Sequence, residues 1–169
     1  MMDGYKCSIC EEIHSGLPFS YGSPMPRPAY DVPEDELDER VELSSDQCVI
    51  DEEHFFILGR VEISVIDAEE KIFSWNAWVS LSRENFLRAS DLWEVEGRET
   101  EPPYFGWFST TLPCYEPDTF LLKAYVHTRP VGERPFIELE PTDHPLAIEQ
   151  RNGITFKRVQ EIAECILHG

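Results

Sequence analysis

Between Ile72 and Ser82 apolar and polar residues alternate. Phe73, Trp75, Ala77, Val79 and Leu81 fall on one set of positions, Ser74, Asn76, Ser80 and Ser82 on the other, and Trp78 breaks the pattern. Side chains of a strand point to its two faces in turn, so the stretch predicts a β-strand with one buried face. Upstream, Phe55, Ile57, Val61, Ile63 and Val65 share a second such face, with Arg60, Glu62 and Ser64 opposite. Asp67-Ala68-Glu69-Glu70 between them predicts a turn, and hence an antiparallel hairpin. Ser82 then stands where a hydroxyl caps a helix that carries Phe86, Ala89 and Trp93 on one side.

Further strands are predicted at Cys48–Ile50, Tyr104–Thr110, Leu121–Thr128 and Pro135–Glu140, with a turn over residues 113–118 and a polar connection over 97–103. Two helices follow. The first begins at Asp143 or His144, with Asp143 the expected cap, and stops at Asn152-Gly153. The second has Thr155 as its cap, Ile154 and Val159 as a hydrophobic staple, and a stripe of Phe156, Val159, Ile162, Ala163 and Ile166. At the other end, Pro18, Pro24, Pro26 and Pro28 forbid regular helix, which leaves an extended coil, and an acidic helix is predicted over Pro33–Glu42. The fold class that results is α+β: a mostly antiparallel sheet of about five strands with packed helices. It forms a single domain over residues 1–169, in which a metal-binding, proline-rich coil (1–32) lies on the core (33–169).

Charge narrows the partners. The chain has 33 acidic and 14 basic residues, a net charge of −19. Nucleic acids and anionic membrane surfaces both need a cationic face, so neither is an expected ligand, whereas a basic partner protein or a cation is allowed; that the acidity only keeps the chain soluble is the other reading. No apolar run approaches the ~20 residues of a membrane span, and the start lacks a signal peptide's basic and apolar regions, so a cytoplasmic protein is expected.

Cys7-Ser8-Ile9-Cys10 is the sharpest chemical motif. Two thiolates three positions apart can grip one zinc ion, and a closed structural site needs four ligands. His14 is the nearest further candidate, followed by Cys48 and His54. Free thiols or a redox pair are the other readings, the latter disfavoured because a redox CxxC opens a helix and prolines follow here. Cys114 and Cys165 are expected to be spectators, since five cysteines at irregular spacing do not suggest a disulfide framework.

A second cluster comprises His127, Arg129 and Arg134, with Glu138, Glu140, Asp143 and His144 beyond. Its arginines can hold an anion or carboxylate, or else pair with internal acids and fasten their loop. His127, Arg129, Arg134 and His144 form the candidate ligand pocket. The sequence contains no GxSxG, P-loop, GxGxxG or HExxH motif.

Several pieces in order resemble a bacterial family known only as domain of unknown function 2199: Cys7-x-x-Cys10 with His14 and Leu17-Pro18, Ser45-Asp46-Gln47-Cys48-Val49-Ile50, Phe55-Phe56, Trp78–Ser82, Phe105-Gly106-Trp107, Arg134-Pro135, Asp143-His144-Pro145-Leu146 and Gln150-Arg151-x-Gly153-Ile154-Thr155. The resemblance brings Cys48 forward as third metal ligand and implies no activity. Glu11 stands where the family pattern would have glycine. The leading functional expectation is a non-enzymatic, inhibitor- or immunity-like interaction module with structural zinc. The alternative is a small-molecule enzyme or anion binder built on the second cluster.

Overall fold

The computed structural model describes residues 4–6 and 13–15, as backbone only, and residues 17–168. The strands are β1 (Gly4–Lys6), β2 (Ile13–Ser15), β3 (Ser20–Gly22), β4 (Val41–Leu43), β5 (Gln47–Ile50), β6 (His54–Ser64), β7 (Ile72–Leu81), β8 (Tyr104–Phe108), β9 (Lys123–His127) and β10 (Phe136–Leu139). The helices are α1 (Leu37–Arg40), α2 (Arg83–Asp91), α3 (Pro145–Asn152) and α4 (Phe156–His168). β1 and β2 pair with each other, antiparallel.

The sequence predicts a mostly antiparallel sheet of about five strands; in the structure five strands close into a barrel and others extend it. Strands β6 to β10 run as a meander, each antiparallel to the next, and β10 returns to β6 through the pair Phe136–Arg60. A meander with an odd number of strands ends in the direction it began, so the closing pair is parallel. Two in-strand glycines sit at the seams. A Cβ on Gly59 of β6 would lie 2.8 Å from the Ile137 side chain of β10 and 2.9 Å from the Pro135 carbonyl. A Cβ on Gly106 of β8 would run into the Ser80 carbonyl and Val79 of β7. Only glycine lets neighbouring backbones come this close. Three strands extend the barrel: β5 and β4 continue outward from β6, and β3 lies parallel on β7.

Trp78 explains itself through this arrangement. Phe73, Trp75, Ala77, Val79 and Leu81 fill the barrel with Phe55, Ile57, Val61 and Ile63 of β6. Trp78, on the opposite face, belongs to a second core with Ala29, Val32, Cys48, Ile50, Phe56 and Leu58. Its indole N–H donates to the Ser23 carbonyl at 2.9 Å. The hairpin is thus buried on both faces where the proline-rich leader crosses it. From residue 17 onward that leader is more than coil: it contributes β3 and a 3-10 turn, Arg27–Asp31.

Ser82 caps α2, accepting from Asn85 N at 3.1 Å. Other elements depart from expectation. The acidic helix shrinks to α1, because Asp35/Glu39 and Asp38/Glu42 are like-charged pairs four apart and Val41–Leu43 pairs with β5 instead. His144, not Asp143, caps α3. On α4 the buried stripe is Val159, Ile162 and Ala163, whereas Phe156 and Ile166 are partly exposed. Cys114 and Cys165 are no spectators. They form a disulfide that ties the 113–119 turn to α4, with Cα atoms 6.1 Å apart. No helix among the described residues is long and apolar enough to cross a membrane.

Candidate functional site

The β9–β10 loop is the most constructed feature of the surface. Arg98 lies just after Gly97, whose φ of 86° turns the chain at the end of the α2 segment. Its side chain is buried beneath the loop. Nε donates to the Arg129 carbonyl at 2.7 Å, Nη2 to the carbonyls of Pro130 and Glu133 at 3.1 and 3.0 Å, and Nη1 to Trp93 O at 2.8 Å. The guanidinium also lies 5.5 Å from the Trp93 ring centroid. One planar fork therefore holds three carbonyls of the loop in fixed relative positions. Nothing in the sequence singles out Arg98, which stands in a polar connection. A lone arginine between acidic residues carries no signal that it will be buried.

The loop so held places Arg129 and Arg134 beside Arg60 of β6. With Ser20, Asn76 and Glu133 they line an open groove of about 380 Å³. Arg129 Nη2 pairs with Glu62 at 2.9 Å and Arg134 Nε with Asp46 at 2.8 Å. Arg60 reaches the other Glu62 oxygen only at 3.7 Å and donates to Ser74 Oγ at 2.9 Å. Each of the two arginines thus has an internal acid, and the two share a groove.

The histidines do not join them. His127 lies on the barrel wall, its Nε2 2.9 Å from Glu138 Oε1 and its ring 5.8 Å from Phe136. His144 stands apart, where Nδ1 accepts from Leu146 N at 3.0 Å and Nε2 lies 2.7 Å from the Pro117 carbonyl. A nitrogen that accepts an N–H is unprotonated and one that meets a carbonyl carries the proton, so His144 is the neutral Nε2–H tautomer with both nitrogens occupied. That is a structural role, and Asp143-His144 makes no acid–base pair.

Cys7 and Cys10 lie outside the described residues. His14 falls in β2 opposite Tyr5, and its side chain is likewise outside them. Cys48 is a free cysteine in the second core. Burial pushes its thiol up to about 11. Among the described residues no three His, Cys, Asp or Glu side chains converge as a metal site.

A third feature lies on the outer wall of β8 and β9, where Phe105 and Trp107 are 39% and 41% exposed. Their rings meet edge-on at 5.2 Å, and Phe105 meets Tyr125 at 5.8 Å. Alternation along β8 forces this outcome, since Tyr104, Gly106 and Phe108 point into the barrel.

No curated protein and no solved structure matches the chain. A family model does, over residues 6–154. The chain belongs to the family of uncharacterized proteins conserved in bacteria, DUF2199.

Proposed function

We propose that the protein is a non-enzymatic interaction module that docks a basic partner protein. The observation that supports this reading is the aromatic cluster Phe105, Trp107 and Tyr125, presented to solvent on the barrel wall. Exposed tryptophan and phenylalanine cost hydration free energy, and such side chains are enriched at the centres of protein interfaces. A net charge of −19 favours a cationic partner and speeds its approach. The test is affinity capture from the native host at low salt, with wild type and Trp107→Ala compared side by side. A basic protein should be retained by wild type, released as salt rises, and retained at least roughly tenfold less by the variant. Equal retention by Trp107→Ala, or nothing released by salt, counts against the proposal.

The same reading keeps a structural zinc ion at Cys7 and Cys10, with His14 as a further ligand. Support comes from the motif, and Cys48, a free cysteine in the second core, is the remaining candidate ligand. Protein purified without added metal should contain about one zinc per chain, absent from a Cys7→Ser, Cys10→Ser variant.

A further inference from the structure

We propose that the groove between β6 and the β9–β10 loop is a binding site for a small polyvalent oxyanion, one carrying phosphate or carboxylate groups. Ten arginines serve this chain, and three of them, Arg60, Arg129 and Arg134, meet at one groove of about 380 Å³. Small-ligand sites begin at about this size.

Ion pairing at the groove is incomplete. Among the described residues, only Glu62 and Asp46 pair with these guanidiniums, and Glu62 is shared between Arg129 and Arg60. Three cations therefore face three carboxylates, of which Glu62 and Asp46 pair with them and Glu133 does not, and each guanidinium has five N–H donors, most of them uncommitted to these acids. Glu133 at the rim is the carboxylate an incoming anion must avoid. Neutral donors complete the floor. Arg60 donates to Ser74 Oγ, Ser74 Oγ donates to Ser20 Oγ at 3.0 Å, and Asn76 Nδ2 donates to the same Ser20 oxygen at 3.0 Å. Of the Arg60 guanidinium these bonds use only Nη2, and Nη1 lies 3.7 Å from Glu62.

The site is also held in shape before any ligand arrives. Arg98 fixes the carbonyls of Arg129, Pro130 and Glu133, and the backbone N–H of Arg60 donates to Pro135 O at 2.9 Å. The Arg129 guanidinium is further supported on the Phe136 ring at 5.4 Å. Fixed donors lose little entropy on binding, and planar guanidiniums match the paired oxygens of carboxylate or phosphate. Over the rest of the surface a charge of −19 repels anions, so an anion that settles here is held by short-range hydrogen bonds rather than by the overall field.

The experiment titrates inorganic phosphate and, separately, citrate into the full chain, followed by calorimetry and by the Nε–H resonances of its arginines. Saturable binding of at least one probe is expected, with the signals of Arg60, Arg129 and Arg134 shifting together. Binding of phosphate alone or citrate alone identifies the source chemistry, and either supports the site. Arg60→Gln, a change at a half-exposed side chain, should weaken binding roughly tenfold, the worth of one charge-assisted hydrogen bond. Asp46→Asn, which frees Arg134, should tighten it. No saturation by either probe up to tens of millimolar overturns the proposal. So does unchanged affinity in Arg60→Gln and Asp46→Asn proteins that melt as wild type does.

Discussion

The indole N–H of Trp75 donates to the Tyr115 hydroxyl at 3.1 Å, and that hydroxyl donates onward to Glu149 Oε1 at 2.6 Å. Trp75 is a barrel residue of β7, Tyr115 belongs to the disulfide-tied turn, and Glu149 sits on α3, where it also accepts from Arg158 Nε at 2.7 Å. One phenol thus connects barrel, turn and both C-terminal helices. Burial, first, and the neighbouring Glu149 carboxylate together raise the Tyr115 hydroxyl well above the ordinary phenol range, which keeps it a donor. Tyr115→Phe leaves the Trp75 N–H buried without an acceptor and removes one donor from Glu149. The expected loss is about 1–3 kcal/mol, measured by denaturant unfolding. A Trp75→Phe, Tyr115→Phe double variant should lose less than the sum of the single changes.

The Cys114–Cys165 disulfide closes a loop with a sequence separation of 51 residues. Loop-closure entropy at that length is about 4 kcal/mol. A Cys114→Ser, Cys165→Ser variant should therefore unfold at lower denaturant, and dithiothreitol should destabilise wild type but not that variant. Equal midpoints for the two oxidised proteins would show that the pair does not cross-link in solution.

Arg98→Met keeps much of the side-chain volume and removes every bond to the loop. Four carbonyls lose their donor. A stability loss of about 3 kcal/mol is expected, together with faster amide exchange confined to the residues around 129–134. Uniform exchange changes across the barrel would mean that Arg98 supports the whole fold rather than this loop.

Cys48 sets a pH dependence. In the folded chain its thiol stays neutral up to about 11, against an ordinary value of 9.0. The unfolded chain gives up this proton first, so the contribution is present below pH 9 and is lost as pH rises toward 11. Stability of wild type should fall across that window more steeply than that of Cys48→Ala. In the native state near neutral pH, Cys48 should resist alkylation until the protein unfolds.

Much of the hairpin is legible in the order of residues. Period-two alternation places β6 and β7, Ser82 announces α2, and Thr155 announces α4, where Arg158 N donates to its hydroxyl at 3.1 Å. These are local signals, written by residues within a turn or two of each other. Trp78 is the visible irregularity, and its explanation lies in Ala29 and Val32, dozens of residues away. The leader shows the same limit. Expected to be extended coil, its described part is fastened by β3 pairing with β7 and by its own apolar residues.

Composition and pattern alone determined a mixed α+β chain, the places of its longest strands and final helices, and a net charge of −19. Tertiary structure decided the rest: closure of the sheet into a barrel, the Cys114–Cys165 pair, the burial of Arg98, and the meeting of Arg60 with Arg129 and Arg134. The reason is one of range. Alternation and capping depend on near neighbours, whereas Arg60 and Arg129 become neighbours only because Gly59 and Gly106 let a five-stranded meander shut.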